Sequence, residues 1–152
     1  MLSKQDWGNA TWYLFHTLAY KLKDGSEDII PKLLTEYYKI CDNLPCPYCS
    51  SHAISLLKRI NFNNIKTRDK LILLLNEFHN SVNKRLNKKT MTIEESNNLY
   101  SKANTFNIVK NFINVLSRST GVMVLMMRNM SKNRMVDNFN VFINDNHQHF
   151  NN

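Results

Sequence analysis

Apolar residues recur at the spacing of an α-helix in one segment after another of this 152-residue chain. The apolar face of the first segment, 6–22, is formed by residues three or four apart: Trp7, Thr11, Leu14, Phe15, Leu18 and Leu22. The same spacing returns in 30–43, 53–60, 71–86 and 106–116. Because only three glycines and three prolines interrupt it, the sequence predicts an all-α protein with short connections.

Turn and capping residues predict where these helices begin and end. Ser26 is a candidate N-cap for the second helix, since it follows the turn Lys23-Asp24-Gly25. The third helix is expected at about 46–60 and the fourth at about 67–86. A capping-box pattern beginning at Thr92 predicts a short fifth helix that reaches about Ser101.

The last third of the chain has a different character. Gly121 is expected to end the helix at 106–116, and five of the seven methionines lie between Met123 and Met135. Methionine is flexible and polarizable, so this stretch is predicted to be core or a subunit contact. The polar tail that contains His147 and His149 is expected to be frayed.

Several function classes are excluded or disfavoured by composition. The chain has no G-x-G-x-x-G and no P-loop motif, so a nucleotide cofactor would not be held by a Rossmann or Walker turn. The net charge of +8 is spread widely and lies in no recognisable nucleic-acid motif. No signal-peptide pattern is visible, and the longest apolar run, 122–127, is too short to span a membrane. These features predict a soluble, cytoplasmic protein.

The segment Leu44-Pro-Cys-Pro-Tyr-Cys-Ser-Ser-His52 carries the most reactive residue types in the chain. Cys46 and Cys49 have C-x-x-C spacing, which suits a small disulfide ring, a soft metal ion or redox exchange. A helix is expected to begin near Cys46, where the positive end of the helix dipole favours thiolate. Cys41, on the apolar face of the second helix, is predicted to be an inert buried residue.

Two further groups of polar and aromatic residues stand out. Trp12, His16 and Tyr20 step by four along the first helix, and residue types alone favour an interior role for His16. The run His79-Asn80-Ser-Val-Asn83 places asparagines, which are mediocre helix formers, within a strong helix. Asn83 lies one turn from His79, so both side chains could address one ligand, although a solvent-facing role is the alternative.

Three motifs together resemble the Erv/ALR family of FAD-linked sulfhydryl oxidases: Trp7-Gly8-x3-Trp12-x3-His16, Cys46-x2-Cys49-x2-His52, and His79-Asn80-x-Val82-Asn83-x2-Leu86-x-Lys88. The form of residues 44–53 is most similar to that of the short members from large cytoplasmic DNA viruses. The resemblance implies a four-helix bundle plus a short fifth helix that holds FAD, spanning residues 1–102. Residues 103–152 would then form a helical extension on the bundle or at a subunit interface.

The resemblance also implies roles for individual residues. The residues expected to contact FAD are Gly8, Trp12, His16, Cys49, His52, His79, Asn80, Val82, Asn83, Leu86 and Lys88. Cys46 would exchange with a dithiol on a substrate protein or a thioredoxin-like shuttle protein, and Cys49 would pass the electrons to FAD and then to O₂, giving H₂O₂. The family further implies a homodimer. No metal ion, membrane span or specific nucleic acid is expected.

The sequence departs from the family pattern at several points, and other interpretations exist. Lys21-Leu22-Lys23 stands where a tyrosine-proline pair is expected, Leu74 replaces a tryptophan, and Asn76 replaces a structural cysteine. One alternative is a structural zinc site with Cys46, Cys49, His52 and His79 as ligands. A thioredoxin-like reductase would require a βαβ context, which the pattern does not indicate. The third alternative is a catalytically silent FAD-binding scaffold.

Overall fold

A computed structural model describes residues 2–119 and 126–152. Within these ranges the chain is helical and forms no strand, and Leu22 and Phe150 make an isolated antiparallel bridge. The prediction of an all-α fold is therefore confirmed. The helices are α1 (Lys4–Lys21), α2 (Ile30–Asp42), α3 (Pro47–Leu57), α4 (Arg68–Arg85), α5 (Ile93–Tyr100), α6 (Thr105–Leu116) and α7 (Met126–Asn146). Short 3₁₀ turns occur at Glu27–Ile29, Phe62–Asn64 and His147–His149.

Helix α1 is the central element, and α4, α5 and α6 pack against it. Its N-terminus is fixed by Ser3, whose side chain accepts a hydrogen bond of 3.1 Å from the Asp6 amide. The predicted apolar face is buried throughout, and Leu14 and Leu18 have no exposed surface. Burying a leucine side chain contributes about 1.5–3 kcal/mol, so this face supplies much of the stability of the bundle.

The second helix begins later than predicted, and the predicted N-cap role of Ser26 is wrong. Ser26 precedes a 3₁₀ turn and caps nothing with its side chain. Helix α2 begins at Ile30, with Pro31 in its first turn, where a missing backbone N–H costs nothing. The Ser26 hydroxyl instead lies 3.0 Å from Nδ1 of His149.

The extension beyond residue 102 contributes α6 and α7 to the same apolar core as the rest of the chain. Phe112 of α6 and Phe139 of α7 are both fully buried and meet edge to face, with ring centroids 5.3 Å apart. Met135 is buried, whereas Met126, Met127 and Met130 are exposed. The expected helix break at Gly121 and the role of Met123 lie outside the described residues, and the domain division at residue 102 stays a prediction.

The predicted fraying of the C-terminal tail is wrong. Phe150 is buried, the Lys23 amide donates to the His149 carbonyl at 2.8 Å, and the Asn151 amide donates to the Lys21 carbonyl at 2.7 Å. These bonds give the tail backbone partners at the end of α1, and the phenylalanine gives it an apolar anchor. None of the described helices combines the length and apolar character needed to cross a membrane.

Candidate functional site

The two cysteines of the C-x-x-C motif lie at the N-terminus of α3. Cys46 is the N-cap residue, and its sulfur accepts a hydrogen bond from the Cys49 amide at 3.2 Å. Pro47 occupies the first turn of the helix, where its fixed φ favours helix entry. Both cysteines are half-buried free thiols. The Cys46 sulfur is therefore in direct contact with the backbone amide of Cys49.

The expectation that the helix N-terminus favours thiolate does not hold for Cys49. Burial, followed by the hydrogen bond to Cys46 and the charge of that thiol, raises the pKa of Cys49 to about 11. Lys4 and Arg85 act in the opposite direction. Desolvation of a charged form in a half-buried position here outweighs the helix dipole and the nearby cations.

A cavity of about 660 Å³ lies between α1, α3 and α4, within the usual range for cofactor sites, roughly 300–1,000 Å³. Nine of the predicted site residues line it: Gly8, Trp12, Cys49, His52, His79, Val82, Asn83, Leu86 and Lys88. Three do not line it, namely Cys46, His16 and Asn80. Lys88 is one of four cationic residues that border the cavity, the others being Lys4, Arg85 and Lys89. The cavity thus combines aromatic surface, one cysteine of the C-x-x-C motif and concentrated positive charge.

Aromatic stacking orders one wall of this cavity. The Trp12 and His79 rings stack with centroids 4.0 Å apart and an angle of 9° between their planes. Phe78 meets Trp12 edge to face at 5.2 Å. These contacts restrict the rotamer of Trp12, so its ring is a preorganised surface.

His16 lies behind this wall and does not reach the cavity. Its Nε2 lies 2.9 Å from Nδ1 of His79, and its ring stacks on Tyr100 of α5 with centroids 4.3 Å apart. Burial, with a smaller contribution from His79, lowers the pKa of His16 to about 3. Burial and the charge of Lys88 lower the pKa of His79 to about 4. Both imidazoles are therefore neutral at pH 7. In this state one of the two facing nitrogens carries a proton and donates it in a hydrogen bond to the other.

This histidine pair predicts that acid destabilises the fold. Because the pKa of His16 is lower in the folded state, the unfolded chain binds more protons between about pH 6.5 and pH 3. The free energy of unfolding should fall by about 1 kcal/mol through His16 alone between pH 6 and pH 5. Urea unfolding at both pH values measures the loss. The His16→Gln variant should show a smaller pH dependence, and a dependence equal to that of the parent would contradict the assignment.

Asn80 supports the site from outside the cavity. Its amide group donates to the Met91 carbonyl at 2.7 Å and accepts from the Met91 amide at 2.8 Å. The side chain thereby replaces a backbone partner and holds the segment after α4 in place. Asn87 adopts a left-handed conformation with φ of 55°, and the Lys88 amide donates to the Asn83 carbonyl at 2.8 Å. This turn places Lys88 and Lys89 at the cavity.

Arg85 and Tyr48 were not identified from the sequence. The Arg85 guanidinium lies over the Tyr48 ring, 4.4 Å from its centroid, and Tyr48 is 70% exposed and lies between Cys46 and Cys49 in the sequence. The available signal was the basic pair Lys84-Arg85 directly after the asparagine motif that ends at Asn83. The zinc alternative gains no support, since no three Cys, His, Asp or Glu side chains converge on a metal position within residues 2–119 and 126–152.

Comparison with known proteins identifies the family. The model of the Erv1/Alr family matches residues 9–103, which include Cys46, Cys49 and most of the cavity. A protein of Invertebrate iridescent virus 3, provisionally named an FAD-linked sulfhydryl oxidase, is 34% identical over 54% of this chain and 57% of its own length. The chain thus spans little more than half of that relative.

Relatives from African swine fever virus extend the match. The FAD-linked sulfhydryl oxidase of the Kenya isolate is 31% identical over 64% of this chain and 82% of its own length. No solved structure matches the chain at a significant level. Because the family model covers more than half of the residues and includes the C-x-x-C motif, the chain belongs to the Erv1/Alr family.

Proposed function

We propose that this protein is an FAD-linked thiol oxidase that forms disulfides in partner proteins through Cys46 and Cys49. The observation that carries the proposal is that Cys49 lines the same cavity as Trp12, His79 and Lys88, while Cys46 does not. One cysteine therefore faces the candidate cofactor site, and the other is free for a partner. The names of the viral relatives support the same activity and cofactor.

The residues of the cavity suit FAD in shape and charge. Trp12 and His79 offer a flat stacked surface for a planar ring system. Lys88 and Lys89 provide cations for a pyrophosphate, in place of a glycine-rich loop. At Gly8 an added Cβ would meet nothing within 4 Å, so the helix wall is open toward the cavity at this position.

The chain's own residues supply the thiol chemistry. In the oxidised form, a partner thiolate attacks the Cys46 sulfur, the Cys46–Cys49 bond breaks, and Cys49 leaves with the electron pair. The second partner thiol then attacks the mixed disulfide, which releases Cys46 and leaves the partner oxidised. Lys4 and Arg85 stabilise the departing charge on Cys49, since both lower its pKa. FAD, when bound, would supply the two-electron acceptor for re-forming the Cys46–Cys49 disulfide, with O₂ as the final acceptor and H₂O₂ as the product.

The proposed activity is tested on purified full-length protein by visible absorption and oxygen consumption with a dithiol. A flavin spectrum together with dithiol-dependent oxygen uptake and H₂O₂ formation is expected. A flavin-containing protein that consumes no oxygen with either dithiothreitol or a reduced protein dithiol would contradict the oxidase and favour the silent scaffold. A colourless protein with stoichiometric zinc would contradict both.

Filling the space beside Gly8 should displace the cofactor without harming the fold. The Gly8→Leu variant places a side chain into the open cavity, and leucine is a better helix former than glycine by about 0.5–1 kcal/mol. We expect the FAD content of the purified protein to fall at least tenfold, while the melting temperature of flavin-free protein stays equal or rises. Ser55→Leu, at an exposed position of α3, is the control. Full retention of FAD by Gly8→Leu would show that the cofactor lies elsewhere.

A further inference from the structure

The first turns of α7 contact the segment that carries the redox cysteines. Nε of Arg128 donates to the Leu44 carbonyl at 2.8 Å, and Nη2 donates to the Asp42 carbonyl at 3.3 Å and also to Oγ of Ser50. One turn further on, Ser131 Oγ donates to the Asn43 side chain at 2.6 Å. Arg128 thus bonds groups on both sides of the C-x-x-C motif.

Ser50 links the two sides of the motif a second time. Its buried hydroxyl accepts a hydrogen bond from the Leu44 amide at 3.0 Å as well as the one from Arg128. Leu44 therefore has both its amide and its carbonyl fixed, immediately before Pro45 and Cys46. Since Ser50 belongs to the first turn and a half of α3, these bonds set where the chain enters the helix.

We propose that Arg128 is a positioning residue for the Cys46–Cys49 pair, an inference that rests on the proposed thiol-exchange function. Arg128 lies outside residues 9–103, which match the family model. The extension of this chain therefore supplies a brace for the redox motif that the matched region does not contain. A planar guanidinium with several fixed donors can bond three acceptors at once, which a lysine ammonium cannot do in the same plane.

The brace has a consequence for disulfide closure. Residues on either side of Cys46 are held in one conformation, so the Cys46 sulfur is kept against the backbone amide of Cys49 in the dithiol form. Intramolecular reactions depend steeply on such preorganisation, because entropy lost in advance does not oppose the reaction. Removing the brace should therefore lower the equilibrium constant for closing the Cys46–Cys49 disulfide.

The test measures that equilibrium on the full-length protein. Parent and variants are equilibrated without oxygen in defined mixtures of reduced and oxidised glutathione, and the thiols of Cys46 and Cys49 are counted by mass after alkylation. In Arg128→Met we expect the equilibrium constant for closure to fall about tenfold, equivalent to a reduction potential about 30 mV higher. Arg128→Lys should keep the charge and still show at least a threefold fall.

Matched variants separate positioning from general effects. Arg134 is an exposed arginine of the same helix, and its side chain makes no hydrogen bond within residues 2–119 and 126–152. Arg134→Met should therefore leave the equilibrium unchanged. Ser50→Ala should lower the constant, and combining it with Arg128→Met should give less than the sum of the two effects. An unchanged constant in Arg128→Met, full rescue by Arg128→Lys, or an equal fall in Arg134→Met would each overturn the proposal.

Circular dichroism and oxygen consumption separate the role of Arg128 from folding and from the oxidase activity. If Arg128→Met is unfolded by circular dichroism, Arg128→Lys decides, and a parent-like constant in that variant overturns the proposal. Oxygen consumption by the parent protein tests the thiol oxidase separately. A parent that closes its disulfide but consumes no oxygen contradicts the proposed function, while the comparison of variants still judges the role of Arg128.

Discussion

The Cys49→Ser variant should lose dithiol oxidation by on the order of 10⁴-fold, while the protein stays yellow. Removing a nucleophile that forms a covalent intermediate costs roughly this much, because the hydroxyl neither closes a disulfide nor leaves as readily as a thiolate. FAD should remain, since the aromatic wall of Trp12 and His79 and the basic side chains at the cavity are unchanged. Oxygen uptake with a reduced protein dithiol measures the loss, and the visible spectrum measures the flavin.

The control for this prediction is the third cysteine. Cys41 also borders the cavity, but it is 2% exposed, and burial raises its pKa well above the usual range for a thiol. We therefore expect Cys41→Ala to keep activity within about threefold of the parent, as a structural thiol would. Substantial turnover by Cys49→Ser, or loss of turnover in flavin-loaded Cys41→Ala, would show that electrons take another route.

The Phe112→Ala variant should lower the free energy of unfolding by about 3–5 kcal/mol. Phe112 belongs to α6, has no exposed surface, and packs edge to face on Phe139 of α7. Truncation removes buried apolar area and leaves a cavity at the point where α6 meets α7, and that cavity adds to the cost. Chemical unfolding followed by circular dichroism measures the change.

Phe106 provides the matched control on the same helix. It is 67% exposed, so Phe106→Ala should change the free energy of unfolding by less than about 0.5 kcal/mol.

Unfolding of the Phe112→Ala variant also tests the predicted division of the chain at residue 102. A single transition that shifts as a whole in Phe112→Ala would mean that α6 and the bundle unfold together. An unshifted main transition would mean that the extension is a separate unit.

Strong local signals made much of the helical layout predictable from the sequence. Thr92 caps α5 as the capping-box pattern indicated, with its hydroxyl accepting from the Glu95 amide. Thr67, expected near the start of the fourth helix, caps α4 and accepts from the Lys70 amide. The start of α1 was placed two residues too late, because Ser3 lies before the apolar pattern begins and only its capping bond identifies it. Ser26 was misassigned because proline in the next segment sets the helix start more strongly than a distant serine.

The site was predictable where residues act through their own chemistry, and less so where they act through tertiary contacts. Nine of the predicted residues share one cavity, because helical spacing places seven of them on facing surfaces of α1, α3 and α4, and Leu86 and Lys88 directly follow the end of α4. Asn80 was predicted as a cofactor contact, yet its amide is occupied by the Met91 backbone. No periodicity reveals that Arg128 reaches Leu44, since 84 residues separate the two. Long-range polar contacts of this kind depend on a fold that local patterns do not specify.

Lys132 ties α7 to the end of α6. Its side chain has no exposed surface, and its ammonium donates to the carbonyls of Leu116 and Arg118 at the end of α6. Burying an ammonium without acceptors is costly, so the packed position of α7 depends on the carbonyls that the end of α6 presents. Since Arg128 lies four residues earlier on α7, its bonds to the redox segment depend on the same packing. The segment 42–50 therefore has its bonds to Arg128 only when the last long helix is packed against α6.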